Sequence, residues 1–433
     1  MLQLKEKYDI IIAGAGVAGL NAALFLPRDK DILLISKESP KHSDSYLAQG
    51  GICVLKWDGD HDIFFEDTLR AGHYENNRDT VECMLRSSRE TISDLLCAGV
   101  RFSTDKEGNF LYTREGGHRA KRIMYHEDCT GREITSRLYA QAKKLKNVHI
   151  RPYTALIDLL CDERENVCAG AVLRDEETGE IKAVSADYVI LATGGVGGLF
   201  RFSTNYRNLT GDGVAVCLKH GIEVENVDYI QIHPTTLYTK KRGRRFLISE
   251  SVRGEGAVLL GADGQRFTDE LQPRDVVSAA IRAQMEKDGT DHVWEDMRPI
   301  GEAAIREHFP NILERCEEEG YDPIHEPIPV VPAQHYFMGG ITADLSSRTA
   351  LPRLYACGET CCNGVHGRNR LASNSLLESL VFAQRAADDI LYGEPPVFTG
   401  DKPDLAPYRE QEPLFAAYQQ EVLTAIERSK NHE

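Results

Sequence analysis

The chain has 433 residues, too many for one ordinary hydrophobic core, so two or three domains are expected. Asp and Glu outnumber Lys and Arg by 67 to 51, and the formal charge of −16 argues against nonspecific nucleic-acid binding and makes any local cluster of arginines informative. No apolar run approaches the ~20 residues that cross a bilayer, and Met1–Asp9 lacks the build of a signal peptide, so a soluble, cytoplasmic protein is expected.

The first chemical signal is "YDIIIAGAGVAGLNAALFL". An apolar strand over Ile10–Ala13 meets Gly14, Gly16 and Gly19 in a GxGxxG pattern, and an Ala- and Leu-rich helix follows directly. Strand, glycines and helix in this order form a dinucleotide-binding unit, in which the backbone approaches a pyrophosphate seated on the helix N-terminus. The next strand, "DILLISK", ends in Ser36 and Lys37 where a ribose-binding acid is usual, which counts against a plain NAD site. A polar loop, "HSDSYLAQGGICV", then closes on Gly50 and Gly51.

A second strand-to-glycine unit occurs at "ADYVILATGGVGGLF", where Val189–Ala192 runs into Thr193-Gly194-Gly195. "TGDGVAVCLKHG" follows, a Gly-Asp-Gly turn opening a helix. Near residue 230 the glycine-rich strand pattern gives way to a charged region, and "RLYACGE" at 353–359 returns to it. Two glycine-rich strand ends around one nucleotide are the pattern of flavoproteins with two dinucleotide-binding units. "HGRNRLASNSLLES", residues 366–379, places two arginines just before a helix start. That end of a helix is already electropositive, so either a bound anion accounts for them or they are two solvated arginines of a surface loop. After the break at Gly393-Glu394-Pro395-Pro396, "LFAAYQQEVLTAIE" predicts one amphipathic helix. Eleven cysteines, an odd number without a secretion signal, predict free thiols. Cys357, Cys361 and Cys362 read as packing, and no metal is expected.

Taken together, "GAGVAGL", "SYLAQGGI", "TREGGH", "ATGG", "GDGVA", "QIHPT", "SESVRGEG", "PRDVV", "HYFMGGI", "LYACGE" and "GVHGRNRLASNSLLES" resemble the succinate dehydrogenase and fumarate reductase flavoprotein superfamily, and within it the L-aspartate oxidase family. The resemblance implies an α/β fold. A Rossmann-like FAD-binding domain would comprise residues 1–226 and 337–406, with an α+β capping domain inserted at 227–336. A shortened helical C-terminus, 407–433, would stand in place of the family's helical bundle.

The resemblance implies FAD contacts at Gly14, Ala15, Gly16, Val17, Ala18, Gly19, Lys37, Asp44, Ser45, Tyr46, Leu47, Ala48, Gln49, Gly50, Gly51, Asp212, Glu359, Ser375 and Leu376. In succinate dehydrogenases a histidine four residues before the alanine of the "AQGG" motif bonds covalently to the flavin. Asp44 holds that position here, so non-covalent FAD is expected. Substrate contacts are implied at Glu115, His233, Ser249, His335 and Arg370, with Arg370 as a bidentate carboxylate clamp, because a guanidinium matches a carboxylate edge. Arg368 matches no motif position and reads as a surface charge.

Arg274 matches the family's catalytic arginine, and Glu250 with Arg253 its proton-relay partners. An arginine rarely loses its proton, so in amine oxidation Arg274 is expected mainly to orient and neutralise. Glu115 in "LYTREGGHRAKRI" stands where the oxidases carry an acid and the succinate and fumarate enzymes an uncharged residue. The implied function is oxidation of L-aspartate to iminoaspartate, with reoxidation by oxygen or fumarate, as the first step toward quinolinate and NAD, with quinolinate synthase as a partner. A soluble fumarate reductase or succinate-oxidising flavoprotein is the alternative that shares most motifs. A non-catalytic flavin-binding partner protein is a third.

Overall fold

The apolar run at the N-terminus lies inside the strand Lys7–Ala13, near the centre of a seven-stranded sheet. The computed structural model describes residues 4–162, 166–241, 243–392, 405–408 and 410–430. Across the sheet the order is Val148–Pro152, Ile32–Ser36, Lys7–Ala13, Ile181–Leu191, Val167–Asp175 and Thr154–Asp162, and Leu354–Ala356 also pairs with Ile181–Leu191. The pairings among the first four strands are parallel, as is that of Leu354–Ala356, and the last two strands add antiparallel.

Register decides where a ligand can sit. Ala13 lies opposite Ile35 on one side and Leu191 on the other, and Ala356 lies opposite Leu191. The carboxyl ends of four parallel strands therefore meet at one edge. The residues just beyond them, Gly14–Gly16, Lys37, Ala192–Gly194 and Cys357–Glu359, line one cavity. This is where open α/β sheets bind nucleotides. Two glycines permit the geometry. Gly14 has φ +121°, and a Cβ there would fall 1.9 Å from the Ala192 carbonyl oxygen. A Cβ at Gly19 would fall 1.9 Å from the Gly14 carbonyl oxygen, so this glycine sets how closely the helix Val17–Phe25 packs on its strand.

A second, four-stranded antiparallel sheet runs in the order Ile230–Leu237, Ile328–Phe337, Val293–Asp296 and Val258–Leu260. Its apolar cluster, which includes Leu237, Val252, Ile281 and Val330, draws on residues 237–330 alone for its buried members. The helix Arg274–Asp288 contributes Val277 and Ile281 to it, so packing holds the first residue of that helix at a fixed place. The strands Ile230–Leu237 and Ile328–Phe337 reach back toward the main sheet and carry His233 and His335 to the cavity wall.

The chain adopts the α/β class that the resemblance implied. Near the C-terminus the helix Gln411–Lys430 buries Tyr418, Val422 and Ile426, spaced four apart, in the cluster that covers one face of the main sheet. Tyr418 Oη donates to the Ile157 carbonyl at 2.7 Å. The expected break at Gly393-Glu394-Pro395-Pro396 lies outside the described residues. Among the described residues no helix is long and apolar enough to cross a membrane. All eleven cysteines are free, with Cys357, Cys361 and Cys362 buried as the packing expectation required.

Candidate active site

One end of the cavity is built for a nucleotide. The helix Val17–Phe25 begins there with no side-chain cap and no acidic residue in its first turn, leaving N–H groups and the positive end of the dipole to an anion. Only Val17 N–H is engaged by a side chain, donating to Ser45 Oγ at 3.1 Å. Lys37 Nζ donates to Asp212 Oδ2 at 2.8 Å, which fixes two residues of the wall, and to Thr210 Oγ1 at 3.1 Å behind them. Asp44 Oδ1 accepts from Tyr206 N–H at 3.1 Å. Asp44 Oδ2 and Gln49 Oε1 are buried without a partner among the described residues, and burial pushes Asp44 up to about 7. Buried acceptors on a cavity wall beside an uncapped helix start fit a ligand with a pyrophosphate and several hydrogen-bond donors, as FAD has.

The other end concentrates charge. Arg274 opens its helix and turns inward, donating from Nε to Glu250 Oε2 at 2.6 Å and from Nη1 to Gln231 Oε1 at 2.8 Å. Its sequence neighbour Asp275 instead contacts His73 at 2.9 Å, so a helix-start pair between 274 and 275 does not form. Arg274 and Arg253 hold Glu250 below the usual carboxylate range against its burial. Gln231 also donates to the Arg370 carbonyl at 2.7 Å, tying the loop that carries Arg370 to Arg274.

Arg370 is 3% exposed, and its guanidinium lies 4.5 Å from the Tyr336 ring centroid. Nη1 donates to Ser375 Oγ at 3.3 Å, while Nε is buried without a partner. Burial and the Arg274 charge hold this guanidinium down to about 10. Among the described residues no carboxylate pairs with it, and an unpaired buried guanidinium is costly. An anionic ligand removes that cost. His233 and His335 stand beside it, ring centroids 5.0 Å apart. Burial and the neighbouring arginines push both well below the usual imidazole range, so they are neutral hydrogen-bonding groups. His335 Nδ1 lies 2.7 Å from Thr204 Oγ1, and His233 Nε2 is buried without a partner.

Glu250 is matched by Arg274, and a second acid, Glu115, lines the same wall. Glu115 is 2% exposed and accepts from Ser251 Oγ at 2.7 Å and Ser373 Oγ at 2.6 Å. It does not pair with Arg119, which contacts Asp67 at 2.5 Å. Burial and the Glu250 charge push Glu115 up. Ser249 caps the helix Glu250–Gly254, its Oγ accepting Ser251 N–H at 3.2 Å and leaving its O–H to be donated into the cavity it lines.

Residues 9–376 match the FAD binding domain family. The L-aspartate oxidase of Clostridium perfringens is 48% identical over 388 residues, covering 89% of this chain and 87% of that protein. The chain belongs to the L-aspartate oxidase family. The L-aspartate oxidase of Streptomyces coelicolor is 41% identical, over 88% of this chain and 68% of that one. Among solved structures, an E. coli quinol fumarate reductase superposes with a TM-score of 0.85 at 30% identity, over 97% of this chain and 74% of that one. Family membership brings FAD as the cofactor, which agrees with the wall described above.

Of the residues expected at the site, the cavity wall includes Gly14, Ala15, Gly16, Ala18, Lys37, Asp44, Ser45, Leu47 to Gly51, Glu115, Asp212, His233, Ser249, Glu250, Arg274, His335, Glu359, Arg370, Ser375 and Leu376. Val17, Gly19, Tyr46 and Arg253 stand off it. Gly19 serves helix packing, and Arg253 sits behind Glu250, with Nη2 3.4 Å from Oε1 and Nη1 donating to Thr235 Oγ1. Arg368 lies at the surface, 3.4 Å from Glu75 and over the Tyr229 ring. Sequence reasoning missed Gln231, Ser251, Ser373 and Arg244. Gln231 had a usable signal: on a strand it shares a face with His233, two residues on. Arg244, on the wall and donating to the Thr204 carbonyl at 3.2 Å, hides in the charge run "KKRGRR".

Proposed function

We propose that this protein is an FAD-dependent L-aspartate oxidase that converts L-aspartate to iminoaspartate. The observation that carries the reading is the buried Glu115 carboxylate set among Arg274, Arg370, His233 and His335. With Glu250 matched by Arg253 behind it, Arg274, Arg370 and the neutral donors complement two carboxylates, and Glu115, which no cation pairs among the described residues, complements an ammonium. L-aspartate has that pattern; succinate and fumarate lack the ammonium.

FAD supplies the hydride acceptor. The chain's residues do the rest. Arg370 binds one substrate carboxylate through its unpartnered Nε edge, with His233 and Ser249 as further donors. Arg274, fixed by Glu250 and Gln231, neutralises and orients the substrate beside the flavin site. Because Glu250 occupies Arg274 Nε, the arginine keeps its proton and acts through charge and position. Glu115 accepts a hydrogen bond from the substrate ammonium. The lone pair of the neutral amine drives loss of the Cα hydrogen. The buried side chains of Glu115, His233, Ser249 and Arg370 keep water from the reacting carbon.

Reoxidation by oxygen or fumarate, a role at the start of NAD synthesis, a cytoplasmic location and hand-over of the imine to quinolinate synthase belong to the same proposal. Incubation of the FAD-loaded protein with L-aspartate in air tests it. Ammonium and oxaloacetate, the hydrolysis products of iminoaspartate, are expected in equal amounts. Their absence, with fumarate formed from succinate instead, would replace this reading with the succinate-oxidising one.

A further inference from the structure

A second set of reactive side chains lies outside the cavity. The helix Asp212–Lys219 starts at the cavity wall and ends with His220 as its C-cap. At that end His220 Nε2 is 2.6 Å from Asp158 Oδ1, and His220 Nδ1 is 3.6 Å from Cys161 Sγ. Asp158 is buried on the strand Thr154–Asp162, where it also accepts from Lys219 Nζ and from Tyr408 Oη at 2.5 Å. Cys217, Tyr418 and Arg353 also stand among these ionisable groups, and burial pushes the neighbouring Cys168 thiol up to about 12.

A carboxylate and the negative end of a helix both favour an imidazolium, and the hydrogen bonds to Asp158 and Cys161 raise His220 to about 9. An imidazolium in contact with a sulfur orients it and offers a proton to a departing group. A second thiol stands opposite. Cys161 and Cys168 are directly paired across the antiparallel ladder, and both pack into the apolar cluster on the same face. Paired residues have Cβ atoms ~4.5–5.5 Å apart and a disulfide requires ~3.5–4.5 Å, so closure needs a shift of about 1 Å. The ladder is already irregular there, with a register shift between Leu160 and Cys161.

We propose that Cys161 is a peroxide-reactive thiol, positioned by His220 and Asp158 and resolved by Cys168. The Cys161 thiolate attacks hydrogen peroxide, the kind of oxidant that reduced flavin yields with oxygen. An S–O bond forms, the O–O bond breaks, and the leaving hydroxide takes the His220 proton to depart as water. Sulfur loses two electrons and peroxide gains them. Cys168 sulfur then attacks the sulfenic acid, the S–S bond forms as S–O breaks, and the second hydroxide leaves as water with the Cys168 proton. This modification site is independent of the proposed turnover, because peroxide can be added directly.

The test treats FAD-loaded protein with equimolar hydrogen peroxide near neutral pH and maps the thiols by mass spectrometry, with dimedone present to trap sulfenic acid. Wild type is expected to give a Cys161–Cys168 disulfide before Cys97, the exposed thiol, is touched. Cys168→Ser is expected to give a dimedone adduct on Cys161. His220→Asn should slow Cys161 oxidation by at least about tenfold and leave Cys97 and the flavin absorbance unchanged, because the departing hydroxide loses its proton donor. Oxidation of Cys97 as fast as Cys161, in wild type and without any variant, would overturn the proposal. So would an unchanged rate in His220→Asn, or a lasting sulfenic acid without disulfide in wild type.

Discussion

Replacing Glu115 with Gln removes one charge from the cavity and almost no volume. The side chain is 2% exposed, and both oxygens are held by serine hydroxyls, which can rotate to accept from the amide that replaces one oxygen. What is lost is the charge-assisted contact to the substrate ammonium. Such a contact contributes about 1.5–3 kcal/mol. At 1.36 kcal/mol per factor of ten, kcat/KM for L-aspartate should fall about 10- to 150-fold. Fumarate and succinate carry no ammonium, so fumarate reduction and succinate-driven flavin reduction should hold steady or improve. The assay is flavin reduction or reoxidation by each substrate in turn, on protein with matched FAD content. Equal losses for aspartate and fumarate would make Glu115 a structural acid and refute the reasoning, as would unchanged aspartate kinetics.

Arg274→Leu should retain FAD and lose on the order of 10² to 10⁴ in turnover, measured with saturating L-aspartate; near-normal turnover would leave this residue with a merely structural pairing to Glu250. Arg274→Lys keeps the charge but cannot reach Glu250 and Gln231 together, so it should recover little. Because Asp44 offers no imidazole, acid precipitation should release all the flavin into the supernatant, and colour retained in the pellet would contradict a dissociable cofactor. Glu295 is buried with neither oxygen hydrogen-bonded, and burial pushes it from 4.5 to about 7. The unfolded chain releases this proton near the lower value and the native protein near the higher, so native stability falls as pH rises through that window. The loss is on the order of 3 kcal/mol. Urea unfolding of Glu295→Gln against wild type should therefore show a stability difference that grows in the variant's favour from about pH 4.5 to 8; a constant difference would show that Glu295 does not titrate there.

The glycine-rich end of the cavity was legible in the sequence because its geometry depends on what glycine lacks. Gly14 admits a carbonyl oxygen at a distance no Cβ allows, and that requirement leaves a mark in any sequence with the fold. The two arginines of "HGRNRLASNSLLES" could be distinguished only through the family motif. Physically they differ in that Arg370 is buried against Tyr336 while Arg368 faces Glu75 at the surface. Ser251 and Ser373 were not legible, since an isolated serine shows no pattern until folding places it against Glu115. Arg244 was misleading for the opposite reason: a run of basic residues reads as a solvated face, yet Arg244 lines the cavity. In the C-terminal helix the spacing of Tyr418, Val422 and Ile426 announced an apolar face, but the surface it covers was set by tertiary packing.

Anaerobic mixing of the FAD-loaded protein with L-aspartate, followed through the absorbance of oxidised flavin, tests the central claim most directly. The account predicts rapid and complete bleaching by L-aspartate, slowed several-fold when the Cα hydrogen is deuterium, and much slower bleaching by succinate. Flavin that stays oxidised with L-aspartate, or that succinate bleaches faster, would contradict a site built around an α-ammonium dicarboxylate.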